Sequence, residues 1–187
     1  APRVLGAGHD LVAVSVGALA DRPTQAAIQS AAQEGNAQLC IPAGALAGID
    51  ALAAARHVGI SGVRYVRHAP AATWIRAGAI TAAEGAALTE CGIIFEGSAR
   101  DAAIKFPKSA NVAATIALAG IGFDATRVRL IADPAGTENV HAIEADGLFG
   151  RLSATMAAAP IAGARSSRVV AGSLAHAVLS RTARIAI

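Results

Sequence analysis

The sequence predicts an α/β fold, a partial Rossmann-like parallel sheet, followed by an α+β region with a mixed or antiparallel sheet. Between residues 10 and 56, short apolar runs alternate with capped helical stretches, the β-α-β-α order of a doubly wound sheet. After Gly59 the pattern changes. Residues 62–68 alternate apolar and polar side chains, as a half-solvated strand does. Further strand-like runs then follow around two capped helices.

The elements follow in order. Residues 10–16 form a Val-rich run between a Gly-rich turn and Gly17, which reads as a buried parallel strand. Asp21 and Thr24 are N-cap candidates beside Pro23, and Gly35-Asn36 stops the helix that they begin. Residues 38–41 read as the next strand, and 42–48 turn the chain into a second helix ending near Arg56. Residues 69–89 read as a loop anchored by Trp74. Strands are expected at 93–95, 128–132, 139–145 and 148–156. Ser98 opens one helix, Pro107 breaks it, and Ser109 or Asn111 opens the next. Ser166-Ser167 caps a last helix, and residues 183–187 read as a terminal strand. The expected division is 1–58, a nucleotide-binding remnant; 59–165, an α+β catalytic and dimerisation part; and 166–187, a helix and strand returning to the first part.

The chain of 187 residues is 54% hydrophobic and 16% charged, a globular composition. Aromatics make up only 3%, so Ala, Val, Ile and Leu must build the core. The longest uncharged run, 109–123, is shorter than a membrane span needs and fits a buried helix. Net charge is +3, but the arginines are scattered and no basic run interleaved with aromatics marks a nucleic-acid face. Two cysteines, Cys40 and Cys91, make neither a disulfide framework nor a metal pattern, which fits a reducing cytoplasm. No signal peptide is evident. The chain opens on Ala1 and soon runs into an interior-type strand, so it reads as a fragment.

Two glycine patterns imitate a dinucleotide fingerprint. Gly120-Ile121-Gly122 follows a helical run and precedes a strand, the reverse of what pyrophosphate binding needs, and reads as a helix C-cap. Gly6-Ala7-Gly8 leads into a strand and reads as a turn. Gly44-Ala45-Leu46-Ala47-Gly48 is better placed, at the C-terminal end of a predicted strand. It is either a tight turn or a close approach to a flat cofactor ring. His141 is the best-placed proton-transfer group, with Asn139 and Glu144 nearby, although the plainer reading of a strand histidine is a hydrogen-bonded one. Asn111 is either a helix cap or a ligand for an amide or carboxylate. Lys105 and Lys108, flanking Pro107 before a helix, could face an anion or only water.

Taken together, several stretches resemble the L-aspartate dehydrogenase family. They are Ala7-Gly8-His9-Asp10-Leu11 through Leu19, Ile41-Pro42-Ala43-Gly44-Ala45 through Leu52, and Phe95-Glu96-Gly97-Ser98-Ala99-Arg100. Phe106-Pro107-Lys108-Ser109-Ala110-Asn111, Leu130-Ile131-Ala132-Asp133-Pro134 and Glu138-Asn139-Val140-His141 complete the set. The resemblance implies NAD- or NADP-dependent oxidation of L-aspartate to iminoaspartate, which yields oxaloacetate and ammonia or feeds NAD biosynthesis. It implies His141 as the catalytic residue, Ala45 and Asn111 as cofactor contacts, no metal, and a cytoplasmic homodimer. The family's glycine-rich fingerprint is not in the chain. Its lysine before the tryptophan is replaced by Ala69, and its Asn-Pro-Lys-Thr-Ser run reads Gly163-Ala164-Arg165-Ser166-Ser167. The alternative is a truncated or diverged paralogue that only dimerises or binds a small acid.

Overall fold

Two short parallel strands carry the first third of the chain, and a five-stranded mixed sheet carries most of the rest. The computed structural model describes residues 1–158 and 167–185. Helix α1 (Pro2–Gly6) buries Leu5 against helix α2 (Arg22–Glu34). Only glycine fits at residue 35, because a Cβ there would lie 1.8 Å from the Leu5 carbonyl oxygen. Asp21 caps α2 by accepting from the Thr24 amide at 2.9 Å.

Strand β1 (Leu11–Val12) pairs parallel with β2 (Leu39–Cys40), both shorter than their sequence suggested. The ladder ends where the Ala13 amide donates to the Cys40 carbonyl. Beyond it Pro42 has no N–H to offer, and residues 17–20 wind into a 3-10 turn instead. A loop over 41–48 leads to α3 (Ile49–Ala55).

Strand β3 (Ile60–Pro70) is the central strand of the large sheet. The expected loop after it is in fact two helices, α4 (Ala71–Ala77) and α5 (Ala82–Ala86). Thr81 and Glu84 form a reciprocal capping box at the start of α5. Trp74 is fully buried on α4, and its indole N–H donates to the Ile131 carbonyl at 2.9 Å.

Then come β4 (Gly92–Ser98), α6 (Ala99–Lys105), a 3-10 turn at Pro107–Ser109, α7 (Ala110–Ala119) and β5 (Arg127–Asp133). A hairpin of β6 (Asn139–Gly147) and β7 (Gly150–Ala158) follows. Helix α8 (Arg168–Leu179) comes last, with the Ser167 hydroxyl accepting from the Val169 amide. No strand forms over 183–185. Residues 186 and 187, and the expected cap residue Ser166, lie outside the described residues.

The sheet order is β4-β5-β3-β6-β7, with β3 parallel to β5 and antiparallel to β6. This mixed order is the α+β arrangement that the alternation predicted. Val63, Tyr65 and Ala69 of β3, Val128 and Leu130 of β5, and Ile143 and Ala145 of β6 line the buried face. Helix α7 buries six of its residues around Ile116, which explains its uncharged sequence. Each buried side chain of the size of Leu52 or Ile116 contributes about 1.5–3 kcal/mol.

Arg100, on α6, fastens the two parts together. Its guanidinium grips Asp124 at 2.6 and 3.0 Å, stacks on Phe123, and donates to the Ala20 carbonyl at the end of the 3-10 turn. These bonds hold the Asp124 carboxyl at about 2.

Candidate active site

His141 lies on the inner face of β6, where the alternation of the strand also turns Ile143 and Ala145 inward. Directly across the sheet it pairs with Arg67 of β3. Its Nδ1 is 2.7 Å from the hydroxyl of Tyr65, and the two rings are nearly coplanar in orientation, with centroids 6.0 Å apart. Burial, and secondarily the charge of Arg67, push the imidazole down to about 4. His141 is therefore neutral at pH 7. Burial pushes the Tyr65 phenol well above its ordinary range, so that hydroxyl keeps its proton. A neutral hydroxyl can donate to Nδ1 or accept from it, so it supports either tautomer of the histidine.

Arg67 completes this group. Its guanidinium carbon stands 4.4 Å from the centre of the Trp74 ring, and Nη2 donates to Asn139 Oδ1 at 3.4 Å. Its buried Nε meets no acceptor among the described residues.

The second cluster lies at the C-terminal end of the parallel pair β1–β2, where open α/β sheets take their ligands. Asn111, in the first turn of α7, caps nothing on its own helix. Its Oδ1 accepts from the Val16 and Gly17 amides, both at 3.0 Å. The side chain thus fixes the loop that leaves β1, while its Nδ2 donates to no described residue. Close packing supports this clasp, since a Cβ on Gly17 would meet the Ala110 Cβ at 2.8 Å.

Ala45 is in the neighbouring loop, which leaves β2. Gly44 and Gly48 in that loop have φ of +66° and +74°, a left-handed backbone natural to glycine. The Gly44 amide donates to the Ser173 hydroxyl of α8 at 2.9 Å. On the other side, Gly48 faces β7, where a Cβ would meet the Ala154 Cβ at 2.9 Å. Ala154 pairs across strands with Ile143, two residues from His141. The Ala45 loop is thereby packed against the sheet that carries the histidine.

The remaining candidates have plainer roles. The Lys105 ammonium lies over the rings of Phe95 and Phe106, at 5.8 and 5.5 Å. Gly120 ends α7, its amide donating to the Ile116 carbonyl, and the chain continues into β5; the C-cap reading of that glycine pattern holds. Gly6 likewise ends α1 before a turn. Cys40 and Cys91 are free thiols. Among the described residues no His, Cys, Asp and Glu cluster could hold a metal ion, and no helix is long and apolar enough to cross a membrane.

Tyr65 and Arg67 were not among the residues that the sequence singled out. Their positions on an alternating strand were legible, but the pairing that sets them beside His141 is not local.

Comparison with known proteins places the chain in a family. Residues 50–181, more than half of the chain, match the family model "Aspartate dehydrogenase, C-terminal". L-Aspartate dehydrogenase 1 of Bordetella parapertussis is 48% identical over 180 residues, which is 96% of this chain and 67% of that protein. L-Aspartate dehydrogenase of Pseudomonas aeruginosa is 45% identical over 158 residues, 84% of this chain and 59% of that one. The chain thus spans about two thirds of the length of the curated relatives it matches. The crystal structure of aspartate dehydrogenase from Thermotoga maritima superposes with a TM-score of 0.81 at 23% identity, covering 100% of this chain and 71% of that one, and so shares its fold. With the sequence relatives and the family match in agreement, the chain belongs to the aspartate dehydrogenase family.

Proposed function

We propose that the chain carries the catalytic part of an L-aspartate dehydrogenase that oxidises L-aspartate with NAD or NADP. The product is iminoaspartate, which yields oxaloacetate and ammonia or feeds NAD biosynthesis. The observation that carries this reading is His141, a buried imidazole kept neutral at pH 7 and held by Tyr65, in a chain 48% identical to a named L-aspartate dehydrogenase.

The residues present fit the nicotinamide end of such a cofactor. Asn111 keeps a side-chain N–H₂ without a described partner, at the C-terminal end of the parallel pair. Gly44, beside Ala45, has open space where a Cβ would stand. Asn111 and the backbone around Ala45 would hold that end of the molecule, and when bound it accepts the hydride from the substrate carbon.

The protein supplies proton chemistry. An aspartate ammonium has to lose a proton before its carbon can release hydride. A neutral His141 takes that proton at Nε2 while its Nδ1–H donates to the Tyr65 hydroxyl. Once that proton has left to solvent, the same neutral Nε2 can take a proton from the water that adds to the imine carbon and return it, as the imidazolium, to the departing nitrogen, which restores the neutral ring. Burial around Tyr65 and Trp74 keeps bulk water from competing.

The half-buried apolar side chains Val66, Ile131, Val140 and Ala142, on the opposite face of the sheet, fit the homodimer of this reading. The free thiols fit a cytoplasmic setting.

The test is aspartate-dependent formation of NADH or NADPH, compared between the parent and His141→Ala. The variant is expected to lose about 10²- to 10⁴-fold in kcat. No aspartate-dependent signal in the parent, together with identical behaviour of the variant, would overturn the assignment.

A further inference from the structure

Among the described residues Arg67 is a charged group without a countercharge. On the other face of the same sheet, Arg64 pairs with Glu144 at 3.2 Å and Arg129 with Glu96 at 2.8 Å. Arg67 is half-buried, yet it meets no carboxylate among the described residues. Its single protein acceptor there is Asn139 Oδ1, at a long 3.4 Å. A partly desolvated cation in that condition is costly unless something anionic reaches it.

The surroundings show what that anion would be. The guanidinium carbon lies over the Trp74 ring, 4.4 Å from its centre, a contact made through the face of the cation that does not consume its N–H donors. A flat fork of donors of this kind matches the two oxygens of a carboxylate. The fork starts from the residue directly opposite His141 in the β3–β6 ladder, where cross-strand neighbours lie about 5 Å apart at Cβ. A carboxylate held there would set the adjoining carbon and amine of a small acid against the imidazole.

Resting on the assignment of the site to aspartate oxidation, we propose that Arg67 is the substrate-carboxylate anchor. It receives a carboxylate of a short amino acid or dicarboxylate, with Trp74 as the platform and Asn139 as the support. Holding that group against Arg67 orients the reacting carbon toward His141 and selects acids over amides.

Trp74 is the one tryptophan of the chain, so the anchor carries its own reporter. The experiment titrates L-aspartate, succinate and, as a neutral control, succinamide into the protein without cofactor and follows tryptophan emission. The parent is expected to give a saturable change with the two acids and none with succinamide. Arg67→Met is expected to raise the midpoint about ten- to hundredfold, and Arg67→Lys by less, since it keeps charge but loses the fork. Arg67→Gln, which keeps a flat donor over Trp74, replaces the Met variant if circular dichroism shows that variant to be unfolded. In turnover, the KM for aspartate is expected to rise in these variants while the KM for the cofactor stays within about twofold, a split that general loss of structure does not produce. Equal midpoints in the parent and the charge-removing variant, or no saturable change with either acid in the parent, overturns the anchor. Acid binding through Arg67 in a protein without aspartate oxidation would remove the dehydrogenase assignment and leave the anchor standing. Oxidation with an unchanged aspartate KM would do the reverse.

Discussion

The Tyr65 hydroxyl and the Nδ1 of His141 lie 2.7 Å apart, although 76 positions separate them in the chain. This bond joins the central strand of the large sheet to its neighbour and settles how the imidazole faces the site. Tyr65→Phe keeps the ring and removes the bond. Its expected effect is a fall of about tenfold or more in kcat, with a stability loss of about 1 kcal/mol. Steady-state rates and urea unfolding check the two parts separately.

Arg67 and the buried surroundings together keep His141 neutral, with burial the larger cause. Removing the charge in Arg67→Met is expected to raise the imidazole toward its ordinary 6.5. The acid limb of the kcat/KM profile then moves to higher pH, and NMR titration of His141 follows the same shift.

Acid stability has two windows. The folded protein holds His141 at about 4 against an ordinary 6.5, so the unfolded chain binds more protons between those values and stability falls as pH drops through them. Asp124, held at about 2 against 3.8 by Arg100, adds a second loss at lower pH. Thermal unfolding followed from pH 8 to pH 2 is expected to show both. His141→Gln removes the upper window and Asp124→Asn the lower.

Asn111 has two ends with separable duties. Asn111→Ala leaves the Val16 and Gly17 amides without their acceptor and is expected to cost about 1–3 kcal/mol. Asn111→Asp keeps the acceptor and places a negative charge in the first turn of α7, where it is tolerated. It removes the N–H₂ group, so cofactor affinity is expected to fall about tenfold with stability retained. Calorimetry with NAD and NADP distinguishes the pair.

Gly48→Ala tests the packing of the Ala45 loop on β7. A Cβ at φ +74° and 2.9 Å from the Ala154 Cβ is expected to cost about 1–3 kcal/mol and to weaken cofactor binding.

Much of this fold could be read from local chemistry. Asp21 and Ser98 cap the helices assigned to them, and Gly35-Asn36 and Pro107 end the preceding ones. Alternation over residues 62–68 marked β3 as a half-buried strand. Helices α4 and α5 escaped because residues 69–89 are rich in Ala, Gly and Thr with little apolar periodicity, although Thr81 and Glu84 held a capping-box spacing that could have located α5. At the site, His141 was visible as a residue type in a favourable context. Tyr65 and Arg67 were not, because their importance comes from strand register, a property of the assembled sheet. Asn111 was visible as polar at a helix start, but its acceptor role toward Val16 and Gly17 crosses from one sheet to the other.

The Ser173 bond to the Gly44 amide ties the last helix to the loop over residues 44–48. Helix α8 is mostly exposed, with none of its residues fully buried, so it opens to solvent more readily than the sheet does. The loop it touches is the one that carries Ala45. By reciprocity, whatever quiets that loop also restrains α8, and fraying of α8 loosens the loop. Amide exchange across residues 168–179 is therefore a remote gauge of occupancy at residues 44–48, readable without any turnover.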